Sequence, residues 1–287
     1  MEFTKMQGAG NDFVVVETSD VTRDWSKQAI AMCDRRFGIG ADGVLLLLPS
    51  ENADFRMRIF NPDGSESSTC GNGLRCLVKY FVDGNLANSS EIRKISIETQ
   101  AGIRNAQIEK TVDRVTKIRT AMGEPGFGVK DAPLVVNERE GYIVEIKTIP
   151  HYSINVAGRV LCLSLLSMGN PHAVYFCQEP VNDFPLSEIG PIIEHDKAFP
   201  ARMNFSVAKV ISREKIEART WERGVGETLA CGSGACAITV VAKILDYVDG
   251  EVEVALPGGV LGVEWDGMAE VFLSGPAETV YAGEWLK

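Results

Sequence analysis

Two cysteines in this sequence open the same short phrase, once in each half of the chain. The first phrase is Cys70-Gly71-Asn72-Gly73, and the second, Cys231-Gly232-Ser233-Gly234, follows 161 positions later. A run typical of a helix comes after each phrase, and an aromatic residue, Phe60 or Trp221, stands ten positions before each cysteine. An enzyme that inverts a stereocentre needs one proton carrier on each face of a carbon, and two repeated thiols could supply them.

The position of both thiols at the start of a helix has chemical consequences. The first turn of a helix carries unpaired N–H groups and the positive end of the helix dipole, which favour anions. The pKa of a thiol in this place is expected to fall from about 8.5 into the range of about 3.5–7.5. The same N–H groups can bind a carboxylate, and the neighbouring glycines let it approach. The alternative, two small buried hydrophobic residues at tight turns, would suit a single phrase better than a repeated one.

Strands dominate the elements that must position these thiols. Residues 55–60 alternate apolar and polar, and turn residues separate further predicted strands at 251–256, 260–265 and 269–273. Helices are predicted at 24–36, with Asp24 as the N-cap, and after the two cysteines, at 72–82 and 233–248. The last helix is apolar on almost every face, which is typical of a helix surrounded by sheet. The pattern predicts an α+β fold of two similarly built domains related by pseudo-symmetry, each a mostly antiparallel sheet wrapped around a central helix.

The repeated phrase also indicates a duplication, and therefore a division of the chain. No low-complexity segment marks the boundary, but a turn-rich stretch at 122–126 is the best candidate. We expect an N-terminal domain over 1–121 and a C-terminal domain over 122–276. The last residues, 277–287, are expected to return to the N-terminal domain.

Composition and charge exclude several classes of protein. The 39 acidic residues outnumber the 29 basic ones, for a net charge of −10, which argues against a nucleic-acid partner. The longest clean apolar run, at 44–48, is far too short to cross a bilayer, and the first residues do not resemble a signal peptide. We therefore expect a cytoplasmic protein with no membrane partner. The seven cysteines include no C-x-x-C pair, and the three histidines lie far in sequence from the cysteine clusters, so neither a disulfide framework nor a metal site is expected.

Six phrases, in order along nearly the whole chain, resemble the diaminopimelate epimerase family. They are Lys5-Met6-Gln7-Gly8-Ala9-Gly10-Asn11-Asp12-Phe13, Gly38-Ile39-Gly40-Ala41-Asp42-Gly43, Phe60-Asn61-Pro62-Asp63-Gly64-Ser65, the first cysteine phrase, Ser167-Met168-Gly169-Asn170-Pro171-His172, and Glu222-Arg223-Gly224 through the second cysteine phrase. The resemblance implies a PLP-independent epimerase that needs no cofactor and interconverts LL- and meso-diaminopimelate, in lysine and peptidoglycan precursor synthesis. It also implies an active site in a cleft between the halves and a homodimer to which Tyr281 contributes.

The resemblance assigns roles to individual residues. Cys70 and Cys231 would be the two acid/base groups, and His172 and Glu222 would adjust the pKa values of the site. Substrate-binding residues implied in this way are Asn11, Asn61, Gly71, Asn72, Asn170, Asn204, Glu222, Arg223, Gly232 and Ser233. The four that follow the cysteines would bind the reacting carboxylate through their backbone, and the others would hold the ammonium groups and the far carboxylate.

Simpler interpretations remain open for several of these residues. Asn11, Asn61 and Asn170 stand beside Gly or Pro, so each could be a turn former. Two positions depart from the family pattern: Gln7 stands where the family often has His, and Gly43 where some members carry Gln. Gly43 has no side chain to contact a substrate and is left out of the predicted site.

Two other functions are compatible with the same phrases. A proline or hydroxyproline racemase resembles the two-cysteine design but would bind one carboxylate and a ring nitrogen. A non-catalytic protein could bind a small anion at the same helix N-termini, which would leave the thiols without a purpose. The additional polar set, with Arg223 as a fork matched to a carboxylate, favours a longer substrate with a second charged end.

Overall fold

Two units make up the chain in the computed structural model, which describes residues 1–67, 70–85, 93–111, 114–128, 131–135 and 141–286. Unit 1 contains 1–121 together with 274–287, and unit 2 contains 122–273. Within the described ranges, no helix combines the length and the apolar character that crossing a membrane requires.

Unit 1 holds a sheet, two helices and the last strand of the chain. Its elements are β1 (Glu2–Gly8), β2 (Asn11–Glu17), α1 (Trp25–Cys33), β3 (Gly43–Leu48), β4 (Phe55–Phe60), β5 (Glu66–Ser67), α2 (Gly71–Asn85), β6 (Arg93–Thr99), β7 (Gly102–Thr111), β8 (Arg114–Ala121) and β19 (Glu278–Glu284). β2 runs parallel to β3 after α1, and β4 runs parallel to β6 after α2, whereas β3 and β4 are antiparallel. β19 pairs antiparallel with β1, which places the end of the chain in this unit.

The two faces of β3 explain its continuous apolar sequence. Val44, Leu46 and Leu48 pack into one core cluster with residues of α1, while Leu45 and Leu47 pack into another with residues of α2. A strand covered on both faces has no polar side to show, so the apolar and polar alternation seen in β4 is absent.

Unit 2 repeats this plan with different lengths. Its elements are β9 (Gly141–Ile146), β10 (Ile149–Val156), β11 (Arg159–Ser167), β12 (Pro171–Phe176), a short 3₁₀ helix (Val181–Asp183), α3 (Leu186–Glu194), β13 (Asn204–Ser212), β14 (Lys215–Glu222), β15 (Gly226–Thr228), α4 (Gly232–Ile244), β16 (Glu251–Leu256) and β17 (Gly259–Glu264). β18 (Phe272–Gly275) lies where the chain passes from unit 2 back to unit 1.

The pairing order of the strands is the same in both units. β12 runs parallel to β13, β13 is antiparallel to β14, and β14 runs parallel to β16 after α4. This is the order of β2, β3, β4 and β6 around α1 and α2. Almost the whole of α4 is buried, and most strand pairs in both units are antiparallel. The predicted α+β fold of two similarly built parts is therefore confirmed.

The predicted first helix is right at its start and too long at its end. Asp24 caps α1, because its side chain accepts a hydrogen bond from the Lys27 N–H at 3.0 Å. The helix ends at Cys33, before the predicted residue 36. The Asp34 side chain accepts the N–H groups of Arg36 and Phe37, each at 2.7 Å, and turns the chain.

Two boundaries in unit 2 also differ from the prediction. The helix after Cys231 ends at Ile244, because Asp246 takes a left-handed conformation with φ at 66°. The predicted strand over 269–273 is wrong in its first part, since the strand begins at Phe272. The Asp266 side chain accepts the N–H groups of Met268 and Ala269, and these hydrogen bonds hold a turn where the strand was predicted to begin.

Candidate active site

Cys70, at the start of α2, lies within one polar cluster of unit 1. The Gly73 N–H points at the Cys70 sulfur at 3.5 Å, as expected for a residue at the mouth of a helix. The Asn11 side-chain oxygen faces the same sulfur at 4.0 Å, and Asn72 donates to that oxygen at 3.2 Å. We call Cys70, Asn11 and Asn72 the Cys70 half-site. It joins three of the predicted site residues.

The turn before β2 places Asn11. Gln7, the position that departs from the family pattern, accepts the Gly10 N–H at 2.9 Å and donates to Glu278 at 3.1 Å. Its side chain therefore holds the hairpin between β1 and β2 and does not face Cys70. At Gly43, the other departure, an added Cβ would lie 3.0 Å from the Phe60 carbonyl oxygen, so close strand packing favours glycine there.

Asn61 is engaged within its own turn. Its side-chain N–H groups donate to the hydroxyls of Ser65 at 2.9 Å and Ser67 at 3.1 Å. This is the turn-forming arrangement that the adjacent Pro62 and Gly64 suggest. No hydrogen bond recorded in the described part of unit 1 links the Asn61 side chain to Cys70, so its place in a substrate site remains a proposal.

Cys231, at the start of α4, lies within a second polar cluster. Its sulfur is 3.6 Å from the Ser233 hydroxyl, which in turn is 3.1 Å from Nε2 of His172. The same His172 nitrogen is 3.0 Å from the Asn170 side-chain oxygen. We call Cys231, Ser233, His172, Asn170 and Glu222 the Cys231 half-site. Five of the predicted site residues meet here.

The pKa of Cys231 departs from the expectation stated above. Burial of the thiol, followed by the charge of the nearby Glu222 carboxylate, raises its pKa well above the ordinary value of 9.0. Hydrogen bonds from the Ser233 hydroxyl and the Gly234 N–H act in the opposite direction but are outweighed. The expected lowering is therefore wrong for this cysteine. Cys231 holds its proton and is equipped as an acid.

His172 is neutral in this environment. It is completely buried, and burial, together with the positive charge of Arg223, lowers its pKa to about 3. The Asn170 oxygen can only accept, so the hydrogen between them belongs on His172 Nε2. Nδ1 has no hydrogen-bond partner in the described part of the chain. The imidazole thus orients Asn170 and Ser233 without carrying charge.

A buried carboxylate holds the turn that carries Glu222 and Arg223. Glu194, on α3, accepts the Trp221 indole N–H and the Gly224 N–H, each at 2.8 Å. Burial alone would raise the pKa of Glu194, but these two hydrogen bonds, together with the nearby charges of His195 and Arg202, outweigh it and the pKa is lowered. Glu194 is therefore a structural anion at neutral pH.

Asn204 acts on the same turn from the other side. Its side-chain oxygen accepts the Arg223 N–H at 3.0 Å, and its side-chain nitrogen donates to the Pro171 carbonyl at 2.8 Å. Arg223 itself donates to the Ala201 carbonyl at 2.7 Å. The predicted residues Asn204 and Arg223 are thus in contact, through a backbone link that sequence patterns do not reveal.

Two glycines of the repeated phrases are needed for packing inside each unit. A Cβ at Gly234 would lie 3.2 Å from the Cys231 Cβ and 3.3 Å from its sulfur. A Cβ at Gly73 would lie 3.0 Å from the side chain of Leu45. The second glycine of each phrase therefore lets the helix begin directly against its cysteine or the adjoining strand.

Asp42 and Arg75 contact predicted site residues, and Glu194 holds the turn that carries two of them, but all three are absent from the predicted site. Asp42 accepts from Asn11 at 2.7 Å, and Arg75 donates to the Asn72 side-chain oxygen at 2.7 Å. Arg75 stands one helical turn from Asn72, so helical spacing could have indicated it. Asp42 stands in one of the six phrases that carry the family resemblance, at 38–43, which could have indicated it, whereas no local sequence signal indicates Glu194.

Solved structures share this fold. A hydroxyproline epimerase from Agrobacterium vitis superposes with a TM-score of 0.69 at 16% identity, covering 99% of this chain and 90% of that one. A PhzF-family phenazine biosynthesis protein from Bacillus anthracis gives a TM-score of 0.66 at 20% identity, covering 100% and 99%. The chain has the fold of these proteins.

Sequence relatives define the family within that fold. The family model for diaminopimelate epimerase matches residues 3–127 and 164–280. Diaminopimelate epimerases from Pelotomaculum thermopropionicum and Carboxydothermus hydrogenoformans are each 42% identical, covering 99% and 100% of this chain and the same shares of those proteins. The one from Methanococcus maripaludis is 40% identical over 99% of both chains. The chain belongs to the diaminopimelate epimerase family.

Proposed function

We propose that this protein is a PLP-independent epimerase that interconverts LL- and meso-2,6-diaminopimelate, a step toward lysine and peptidoglycan precursors. One observation carries the proposal within the family: each unit of the duplicated fold has a cysteine at the N-terminus of its central helix, in a polar cluster. An epimerase without a cofactor needs two such proton carriers.

The proposed chemistry is a two-base exchange at the α-carbon. The Cys70 thiolate takes the α-proton, so that the C–H bond breaks and an S–H bond forms. Cys231 gives its proton to the opposite face of the carbon, so that its S–H bond breaks and a new C–H bond forms. The direction is supported by the raised pKa of Cys231, which keeps that sulfur protonated. The roles reverse in the opposite reaction.

The intermediate carbanion requires electrostatic stabilisation. The first N–H groups of α2 and α4 point out of the helix N-terminus, and two fixed sets of such donors would bind the reacting carboxylate. The groups proposed for this are the backbone N–H groups of Gly71, Asn72, Gly232 and Ser233. The Glu222 carboxylate beside Cys231 raises the pKa of that thiol, so it would favour the return of a proton from solvent water to the Cys231 sulfur after each turnover.

A different set of side chains would bind the end of the substrate that does not react. We propose Asn11, Asn61, Asn170, Asn204, Glu222 and Arg223 for the ammonium groups and the second carboxylate. The guanidinium of Arg223 provides several donors in one plane, which suits a carboxylate. Amides both donate and accept, so they can distinguish one stereocentre from the other.

Hydrogen exchange with solvent tests this function. The protein is incubated with LL-diaminopimelate in deuterated water, and the product is analysed by mass spectrometry and by its stereochemistry. Deuterium at the α-position together with formation of the meso isomer is the expected result. Exchange with proline or hydroxyproline and not with diaminopimelate would support the racemase. Absence of exchange with any of these amino acids would support a protein that only binds an anion.

We also propose that the protein is cytoplasmic and forms a homodimer. Support for the dimer is limited to the exposed apolar side chains of Val280 and Tyr281 on β19. Sedimentation velocity of the wild type and of Tyr281→Ala tests it, and a monomeric wild type would exclude it.

A further inference from the structure

The side-chain amide of Asn11 is held from both sides. Its nitrogen donates to the Asp42 carboxylate at 2.7 Å, and its oxygen accepts from Asn72 at 3.2 Å. A carboxylate can only accept a hydrogen bond, so the amide nitrogen must point toward Asp42. The oxygen must then point the other way, where the Cys70 sulfur lies at 4.0 Å.

Arg75 sets the orientation of the second amide. The guanidinium is completely buried and donates to the Asn72 side-chain oxygen at 2.7 Å. A guanidinium can only donate, so the Asn72 oxygen must face Arg75 and its nitrogen must face Asn11. The chain of contacts from Arg75 through Asn72 and Asn11 to Asp42 therefore has a donor at one end and an acceptor at the other.

We infer that Asp42 and Arg75 are positioning residues, which hold the amides of Asn11 and Asn72 in one orientation so that an acceptor faces the Cys70 sulfur. This inference rests on the proposed function of Cys70. The Asn11 oxygen directs the S–H bond of Cys70 after proton transfer. A reversed Asn11 amide would place an N–H donor against the sulfur, which would stabilise the thiolate and make it a weaker base toward the α-proton.

The energy of a reversed amide shows why both ends matter. Reversal of Asn11 would set its oxygen against the Asp42 carboxylate and its N–H group against that of Asn72. Each lost contact leaves a polar group without its partner, which disfavours the reversed orientation. The Asp42 oxygen that accepts from Asn11 is held by the Asp12 N–H at 3.1 Å, whereas the exposed Arg35 binds the other oxygen of the carboxylate at 2.7 Å.

A double-mutant cycle tests whether Asp42 acts through Asn11. We expect Asp42→Ala to lower kcat about tenfold, the value of one orienting hydrogen bond. The same change in an Asn11→Ala background is expected to lower it by less than about twofold, because the residue through which Asp42 acts is already gone. Arg35→Gln is the matched control. It removes the ion pair of an exposed arginine and leaves the contact of Asp42 with Asn11, so kcat is expected to stay within about twofold.

A second readout does not depend on turnover. Iodoacetamide labelling without substrate, followed by mass spectrometry, gives the alkylation rate of Cys70. In Asp42→Ala the Asn11 amide can reverse, so we expect this rate to rise about threefold, as the thiolate is the reactive form. When Asp42→Ala is added to Asn11→Ala, the alkylation rate of Cys70 is expected not to rise.

The role of Arg75 is tested by turnover of two variants, Arg75→Lys, which keeps a hydrogen-bond donor, and Arg75→Met, which does not. We expect the first to be about tenfold more active than the second.

The outcomes separate this inference from the proposed function. Two results would overturn the positioning role while the wild type remains an epimerase. One is that Asp42→Ala lowers kcat equally in the wild type and in the Asn11→Ala background, and the other is that Arg35→Gln lowers kcat as much as Asp42→Ala does. A wild type inactive toward diaminopimelate would overturn the proposed function, and the alkylation cycle would still decide the orientation of the amides. Circular dichroism identifies a variant that fails to fold, and the Arg75 pair then replaces the Asp42 cycle.

Discussion

The two half-sites stand on the same scaffold and differ in chemistry. In unit 1, Phe13 of β2 pairs with Gly43 of β3, and in unit 2, His172 of β12 pairs with Asn204 of β13. His172 and Asn204 thus occupy the places of a phenylalanine and a glycine. Asn61 follows Phe60 in unit 1, and Glu222 follows Trp221 at the equivalent position in unit 2.

The central helices continue the contrast. Arg75 of α2 lies five positions after Cys70, and the position five after Cys231 is Cys236 of α4. Unit 1 therefore places a buried cation close to its cysteine, through Asn72 and Asn11. Unit 2 places a carboxylate beside its cysteine and a neutral histidine behind it.

The difference shows how a duplicated fold supports a reaction that needs two unlike groups. At the start of each turnover one cysteine must be protonated and the other deprotonated. Two identical half-sites would favour the same protonation state for both cysteines, and one of the two would then be unsuited to its role. The carboxylate of Glu222 favours the protonated form of Cys231. In unit 1 the N–H group of Gly73 points at the Cys70 sulfur, which is the arrangement that favours a thiolate. Duplication supplies the geometry, and divergence of a few positions supplies the protonation states.

Removing either thiol should have the largest effect. Cys70→Ala and Cys231→Ala should each lower turnover with diaminopimelate by about 10²–10⁴-fold, because each removes one proton carrier. The measurement is the rate of formation of the other stereoisomer. Cys76→Ala and Cys236→Ala, which change buried cysteines inside the same helices, are controls and should keep most of the activity. Near-normal turnover of either first variant would remove that cysteine from the mechanism.

Glu222→Gln should make the two half-sites more alike. The negative charge beside Cys231 disappears, so the pKa of Cys231 should fall toward its ordinary value, and turnover should drop by about 10²-fold. The pH dependence of Cys231 alkylation, followed by mass spectrometry, measures the shift. Glu227→Gln on the neighbouring strand is the control, since Glu227 is bound to Arg219 at 2.8 Å. An unchanged alkylation profile in Glu222→Gln would contradict the assigned cause.

His172→Phe gives unit 2 the residue that unit 1 has at the equivalent position. The pKa of His172 is about 3 in the folded protein, below its ordinary value of 6.5, so the unfolded chain binds the proton first as the pH falls. Stability from this group is complete above pH 6.5 and is lost between 6.5 and 3. Between pH 7 and pH 4.5 the wild type should lose about 3 kcal/mol more of its free energy of unfolding than the variant.

Urea unfolding at the two pH values measures this difference. His172→Gln serves as the control, because glutamine keeps an N–H donor and does not titrate in this range. Between the two pH values it should lose the same amount of stability as the phenylalanine variant, and less than the wild type. An equal loss of stability in the wild type and both variants would show that other groups cause the acid sensitivity.

The smallest expected effect concerns Glu194, which stabilises a turn in unit 2. Glu194→Ala removes the acceptor of the Trp221 and Gly224 N–H groups and should lower the free energy of unfolding by about 1–3 kcal/mol. Urea unfolding at pH 7 measures it. Glu188→Ala changes an exposed residue of the same helix and should alter stability by less than about 0.5 kcal/mol. Equal effects of the two variants would contradict the structural role of Glu194.

Local sequence signals predicted the features that depend on neighbouring residues. The N-cap of α1 followed from Asp24, and the strand at 55–60 followed from its alternation. The repeated phrase indicated the duplication because the same backbone geometry, a cysteine before a helix, needs the same glycines in both places. The helix ends were less predictable, since a single side chain such as Asp34 decides them.

Tertiary structure alone decided the charge state and the orientation of the site. The pKa of Cys231 depends on burial and on a carboxylate nine positions away, and burial outweighed the helix N-terminus on which the prediction relied. Asn11 is oriented by Asp42, 31 positions along the chain, and the turn of Arg223 is held by Glu194 on another element. Sequence by itself determined which groups could exchange a proton, because residue types carry that information. Which of them holds the proton depends on desolvation and on charges that only folding brings together.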